Sequence, residues 1–386
     1  MNNQTNITHQ SDAMSQIYAA AMLRANELAK QGLGLTAPNP IVGAVIIDEF
    51  GREVSSGFHL NSGSVLDKDS QINSEAGDHA EIVAIKSAKQ KGFSDFSNST
   101  MVVTLEPCNH HGKTPPCSAA LISAGFKRVV YSISDPNLKA AGGAEFLRQS
   151  GIEVISGVEE KQTQFSNRAW LGKINNGRPW IVSKIACTID GKIAALDGTS
   201  KWITSDVSRQ DVAKLRLKSD AILTSTGTVL ADDPQMVPRV NSDIKVIQRQ
   251  QNPMRVIMGR REIPATAKIF DDQAPTKQLF THDFKDFLRL AQQAGWNQVL
   301  IEAGAQLNTE LLRANLIDEL ILYLAPSILG AGKGFVGDLG ISTLQDRLGY
   351  GFGEIKRVGP ELIIQMFKSD SLLLTNFVAN IEGEEK

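Results

Sequence analysis

The chain has 386 residues, 42% hydrophobic and 21% charged; at roughly 150 residues per domain that is two or three domains, and the balance excludes a mainly disordered or collagen-like chain. Lys and Arg number 40 against 42 Asp and Glu, a formal charge of −2, so no global field draws the chain onto nucleic acid or anionic lipid. No apolar run approaches the roughly 18 residues needed to span a bilayer, so neither nucleic acid nor membrane is expected as a partner.

Met1 to Asp12 is polar and lacks the basic and apolar stretches of a secretion signal, which predicts a loose leader over residues 1–13. Met14 to Gln31 then carries Ile17, Ala21 and Leu28 on one face and stops at Gly32 and Gly34, a helix pattern. Ile41–Ile47, Met101–Leu105, Val129–Ile133 and Ile152–Ile155 read as strands, with helices over Ala80–Lys91, Pro116–Ala124 and Glu159–Leu171. That alternation predicts a three-layer α/β domain. The polar stretch Asn61 to Asp78 exceeds ordinary connection lengths and reads as a surface loop. The breaker cluster Asn175 to Pro179 closes the domain, over residues 14–177.

From residue 178 the pattern restarts. Strands are expected at Trp180–Ala186, Ala221–Thr224, Arg255–Met258, Val299–Glu302, Leu320–Ala325 and Leu362–Phe367, with helices at Asp206–Lys218, Asp283–Ala294 and Gln306–Asn315. A second α/β sheet follows. Gly332, Gly334 and Gly337 have dinucleotide-motif spacing but no helix after them, so they read as a flexible loop. Glu302 to Gln306 is the better phosphate candidate, since a glycine turn before a helix frees backbone N–H groups.

Three cysteines suit a reducing cytosol better than a disulfide framework. Cys187 reads as a small core residue. Cys108 and Cys117 belong with His79 and Glu81, in the segments GDHAEIVAI and LEPCNHHGKTPPC. One imidazole and two thiolates suit a single zinc ion and leave its fourth tetrahedral position for water. Glu81, two residues past His79, can lean over the metal without binding it and carry protons, as the H-x-E of zinc deaminases does. The competing arrangement is a closed zinc knot with His110 or His111 as fourth ligand and no task for Glu81.

TAPNPIVGAVI, GFH, HAE, TLEPCNHHGKTPPC and AGFKRVVYSISDPN together resemble the deaminase half of the bifunctional riboflavin-biosynthesis deaminase-reductases, over Ile17 to about Leu171. The resemblance implies a cytidine-deaminase-like α/β/α domain in which Asn39, His59, His110 and Lys113 hold a phosphorylated ribosylaminopyrimidine. Asn109 stands where the family usually has Ser. SKIACTIDGKIA, SKWITS, AILTSTGTVLADDP, IEAG and LAPSILG resemble the reductase half of the same proteins. That likeness implies a dihydrofolate-reductase-like α/β domain using NADPH. It places Ala186, Trp202, Thr228, Asp232 and the run Gly304, Ala305, Gln306, Leu307, Asn308, Thr309, Glu310 around the cofactor. Ser200, Arg216, Met236, Arg239 and Glu302 would face substrate, with Arg216 and Arg239 as phosphate forks and Lys184 near the reacting carbon. Gly259 replaces an acidic residue common in the family. The whole resemblance implies a cytoplasmic homo-oligomer that deaminates the pyrimidine and then reduces its ribosyl chain. The other readings are a nucleobase or tRNA deaminase with an accessory domain, and a zinc-stabilised binding protein without catalysis.

Overall fold

A computed structural model describes residues 2–61, 77–110, 115–137, 141–239 and 251–369, with 2–12 given as backbone alone. The chain divides into two compact units between Ile174 and Asn175.

The first unit contains α1 (Asn2–Lys30), β1 (Gly43–Ile47), β2 (Glu53–Phe58), α2 (Ala80–Gln90), β3 (Thr100–Leu105), α3 (Cys117–Ala124), β4 (Arg128–Ile133), α4 (Gly143–Gln149), β5 (Glu153–Ile155), α5 (Glu160–Ser166) and α6 (Arg168–Asn176). Its sheet runs β2-β1-β3-β4-β5, with β1 antiparallel to both neighbours and β3, β4 and β5 parallel. All five residues of β1 are buried, as a strand covered on both faces must be. Val45 and Ile47 join Tyr18, Met22, Ala25 and Leu28 of α1 in one core, while Ala44 and Ile46 join Ala80, Ala84 and Ala88 of α2 in another. The layers meet at glycines. A Cβ at Gly43 would lie 2.0 Å from the Ala25 carbonyl oxygen, and one at Gly57 would lie 2.7 Å from Val83.

The differences from expectation here are local. Helix α1 begins at Asn2 instead of after a loose leader, because residues 2–13 contain neither Pro nor Gly to stop the backbone ladder. The helix expected over Glu159–Leu171 is two, parted at Asn167, whose side chain bonds both backbone groups of Ile41 at 3.0 Å. Strand β2, Glu-Val-Ser-Ser-Gly-Phe, lacks an apolar alternation and is held by pairing with β1. Helix α6 runs into the breaker cluster as far as Asn176.

The second unit contains β6 (Trp180–Thr188), β7 (Lys192–Ala194), α7 (Asp206–Leu217), β8 (Ala221–Ser225), α8 (Thr226–Asp232), β9 (Met254–Met258), β10 (Thr276–Leu279), α9 (Phe284–Ala294), β11 (Gln298–Ile301), α10 (Ala305–Arg313), β12 (Glu319–Ala325), β13 (Lys333–Gly334), β14 (Tyr350–Val358) and β15 (Glu361–Lys368). The large sheet has the order β10-β9-β8-β11-β6-β12-β15-β14. Strands β10 through β12 in that order are parallel, and β15 and β14 are antiparallel additions. Phe287 and Ala291 of α9 and Leu311 of α10 pack with Ile181, Leu223, Val256 and Val299, and Cys187 sits in that same core as anticipated. The glycine segment is not a loose loop. Gly332 packs so closely on Ala194 that a Cβ would come within 2.3 Å of its carbonyl oxygen, β13 pairs with β7, and the Gly337 amide donates to Thr309 Oγ1 at 2.7 Å.

Candidate active sites

Strand direction assembles the first site. β3 runs towards Leu105 and hands the chain to Cys108, while the antiparallel pairing of Gly43 with Phe58 and of Ala44 with Val103 brings Asn39 and His59 to that same edge. His79 immediately precedes α2 and Cys117 opens α3. Loop, helix start and helix start therefore converge, and the donor atoms of His79, Cys108 and Cys117 all lie within 4.8 Å of one another. His79 Nδ1 is 3.2 Å from Cys117 Sγ and 3.5 Å from Cys108 Sγ. Zinc–nitrogen and zinc–sulfur bonds of about 2.0 and 2.3 Å at tetrahedral angles separate N and S by about 3.5 Å. The donor set and its spacing fit zinc.

Among the described residues no fourth His, Cys, Asp or Glu joins this group. His110 is exposed, so it does not close the knot, while His111 and Lys113 lie outside the described residues. Glu81 is buried at 3% exposure and stands one helical step from His79. Burial holds its carboxyl above the usual range, and its side chain reaches the Cys117 sulfur. The hydrogen bond from Cys117 pulls the Cys108 thiol down to about 4, and the Cys108 sulfur in turn pushes His79 up to about 9. Burial and mutual contact thus favour one thiolate, while His79 and the Cys117 thiol must shed protons for a metal to bind.

A hydrogen-bonded set of polar residues forms beside the donors. His59 is buried, donates from Nδ1 to the Asp78 carbonyl at 2.8 Å, and meets the His79 ring edge-on at 5.6 Å. Asn39 donates to His59 Nε2 at 3.4 Å and to Asn61 Oδ1 at 3.2 Å. Asn61 and Asp78, assigned from sequence to the ends of a surface loop, are therefore tied to Asn39 and His59; residues 62–76 between them lie outside the described residues. Glu106 was not singled out. Its carboxylate accepts three backbone N–H groups beside Cys108, and its position directly before Pro107-Cys108 was the available signal.

The second site occupies the carboxyl ends of β6, β8 and β11, where open parallel sheets bind ligands. Glu302 follows β11 at 7% exposure. Arg216 grips it with Nε at 2.5 Å and Nη2 at 2.9 Å, and Lys184 of β6 stands 3.3 Å away. Burial opposes the charge on Glu302, but these two cations outweigh it and hold the carboxyl at about 2. Arg216 spends its remaining amino group on the Val237 carbonyl at 2.9 Å. The fork assigned to phosphate is closed on Glu302, a partner 86 residues away that no helix pattern reveals. Arg239 is exposed and donates to Gln235, while its neighbour Met236 is buried in a left-handed conformation at φ 53°.

Of the residues that the family resemblance assigns to the cofactor, Thr228 and Gly304 meet at the turn into α10. The Gly304 amide, expected to be free, donates to Thr228 Oγ1 at 3.3 Å, linking the α8 and α10 starts. Asn308 is buried between Ser183 Oγ and the Ala303 carbonyl, and Thr309 is buried beside it. Gln306 and Glu310 are exposed, and Ala305 and Leu307 half-buried. Trp202 is 69% exposed under the Arg209 guanidinium, and Lys201 donates to the Asp232 carbonyl. Ala186 and Ser200 are half-buried. At Gly259 a Cβ would lie 2.3 Å from Thr226 Oγ1 with φ at 134°, a position that favours glycine.

Residues 15–133 match the cytidine and deoxycytidylate deaminase zinc-binding region, and residues 179–364 match the RibD C-terminal domain. The chain is 41% identical to the riboflavin biosynthesis protein RibD of Mycobacterium tuberculosis over 347 residues, covering 90% of this chain and 96% of that one. It is 36% identical to Escherichia coli RibD, over 89% and 98% of the two chains. Among solved structures, the Thermotoga maritima diaminohydroxyphosphoribosylaminopyrimidine deaminase/5-amino-6-(5-phosphoribosylamino)uracil reductase superposes with a TM-score of 0.80 at 32% identity, covering 92% of this chain and 99% of that one. Acinetobacter baumannii RibD also gives 0.80, at 34% identity over 92% and 100%. With a His/Cys/Cys zinc site in a deaminase unit and a reductase unit following it in the sequence, the chain belongs to the RibD family of bifunctional riboflavin-biosynthesis deaminase-reductases.

Proposed function

We propose that the first unit hydrolyses the exocyclic ring amine of 2,5-diamino-6-(5-phosphoribosylamino)pyrimidin-4(3H)-one, and that the second reduces the ribosyl chain of the product to ribityl with NADPH. The carrying observation is Glu81, a buried carboxylate against the three converging donors yet outside the ligand group. His79, Cys108 and Cys117 would hold zinc, which when bound supplies a Lewis acid that makes water nucleophilic near neutral pH. Glu81 takes the proton of the attacking water at its carboxylate and passes it to the ring nitrogen, then takes the hydroxyl proton of the resulting carbon adduct and gives it to the amine, which leaves as ammonia. Asn39 and His59 orient the pyrimidine, with His110 and Lys113 reserved for its ribosyl phosphate arm.

In the second unit NADPH supplies the hydride. Trp202, Thr228, Asp232 and the start of α10 cradle the cofactor beside Ala186, and the Lys184–Glu302–Arg216 cluster sets the polarity against which the ribosyl chain lies. The three cysteines are free, which favours a reducing cytosol; no helix among the described residues is long and apolar enough to cross a membrane. We also read the chain as a homo-oligomer. Phe352 and Ile355 on edge strand β14 and Leu362 on β15 are 57%, 53% and 41% exposed, an apolar row that a second copy would cover; light scattering reads the mass.

The test of the reaction is Glu81→Gln in the full chain. Zinc content stays at one per chain, ammonia release falls by about 10²- to 10⁴-fold, and NADPH oxidation on previously deaminated substrate is unchanged. Ammonia release within tenfold of the parent protein would remove Glu81 from the mechanism.

A further inference from the structure

Of the three zinc donors, His79 and Cys117 are each seated at a helix start, whereas Cys108 lies in an irregular stretch after β3. Something else must aim it. Glu106 still belongs to the sheet, since its amide donates to the Ile133 carbonyl at 2.9 Å as the β3–β4 ladder ends. Pro107, with no N–H, cannot continue that ladder, and the chain turns out towards Cys108.

The Glu106 side chain is buried at 8% exposure and aimed away from solvent into backbone. It accepts the amides of Asp135 at 3.3 Å, Gly142 at 3.2 Å and Ala144 at 3.0 Å. Helix α4 has no capping side chain of its own at Gly142, so this carboxylate, reaching across from the end of β3, serves as its cap. The same corner is packed to contact. A Cβ on Gly143 would fall 1.8 Å from the Pro107 carbonyl oxygen, a position only glycine tolerates. On the opposite side Cys108 is tied to α3: its carbonyl accepts the Ser118 amide at 3.2 Å and its sulfur the Cys117 amide at 3.4 Å.

We propose that Glu106 is a positioning residue of the deaminase site: by clamping the Pro107–Cys108 turn against the glycine-lined start of α4, it holds the Cys108 sulfur at the vertex where His79 and Cys117 already converge. It touches neither metal nor substrate. Its effect passes through one ligand, and groups that orient ligands in this way typically contribute 10- to 100-fold in metal affinity. The inference rests on the zinc site but not on the identity of the pyrimidine.

Two variants of the full, zinc-loaded chain test it, Glu106→Gln and Gly143→Ala. The first keeps the shape but turns an NH₂ towards amide donors; the second pushes the clamp off Pro107 without touching the carboxylate. Zinc release into excess chromogenic chelator should quicken about 10- to 100-fold in both, with NADPH oxidation on deaminated substrate unchanged. Release within twofold of the parent rate in both variants overturns the proposal. So does parallel loss of NADPH oxidation and of the thermal transition, which would make Glu106 a general stability residue. Ammonia release separates this idea from the proposed reaction: if Glu81→Gln is dead while zinc release from both Glu106→Gln and Gly143→Ala is normal, the chemistry stands and the clamp does not.

Discussion

Replacing Glu302 by glutamine probes the densest charge cluster of the second unit, where Arg216 and Lys184 face one buried carboxylate at 2.5 and 3.3 Å. The carboxyl is held at about 2 against an ordinary 4.5, so roughly 2.5 pKa units at about 1.36 kcal/mol each give about 3 kcal/mol of linked stability. Because the folded value is depressed, that stability is complete above pH 4.5 and is lost as pH falls towards about 2. A glutamine there mimics the protonated acid and forfeits it at every pH. For a unit of about 200 residues, in which 1 kcal/mol moves the midpoint by about 2–4 °C, thermal unfolding at pH 7 should shift down by about 6–12 °C. The gap to the parent protein should shrink as pH is lowered from 4.5 towards 2. NADPH oxidation should fall sharply while ammonia release persists, since Glu302 belongs to the second unit. Circular dichroism melts across pH 2–7 read the first outcome. A shift below about 2 °C at pH 7, or a gap that does not close in acid, would refute the view that this carboxylate is ionised and bound by both cations.

Two further outcomes concern separate parts of the molecule. Removing zinc with a chelator, or changing Cys108 to Ser, should abolish ammonia release and leave NADPH oxidation on deaminated substrate within about twofold, because the donors belong to the first unit alone; joint loss in a coupled assay would contradict two independent sites. Arg255 is fully buried and donates to Thr276 Oγ1, Asp271 Oδ1 and the carbonyls of Gln235, Asp271 and Ala274. Arg255→Met strands those acceptors, and urea unfolding should show a loss of about 3–5 kcal/mol; a loss under 1 kcal/mol would mean that solvent or neighbours replace the guanidinium.

The grouping of His79, Cys108 and Cys117 was legible in the chain because each sits at an element boundary that local pattern marks: His79 at the onset of α2, Cys108 past the end of β3, Cys117 at the onset of α3. Most strands were equally plain, since β1, β3, β4, β8, β9 and β11 are buried along nearly their whole length and appear as short continuous apolar runs. β2 was not, because Glu53 to Phe58 has polar residues where alternation would show, and β14 was not, because Gly351 and Gly353 interrupt it at an irregularity in its pairing with β15.

Side-chain partnership was the part that local pattern could not carry. Arg216 on α7 looks like any helix cation until the fold brings it to Glu302, and Glu106 looks like a motif filler until Asp135, Gly142 and Ala144 present their amides to it. Periodicity reports which face of an element is buried, over a few residues and through solvent averaging. Which buried charge meets which is set by strand order and crossover, over separations of 29 to 86 residues. The donor types and their chemistry were therefore written in the chain, whereas the aim of Cys108 and the closing of Arg216 on Glu302 were decided by tertiary structure, because a buried polar group must find its partner wherever the packing has put one.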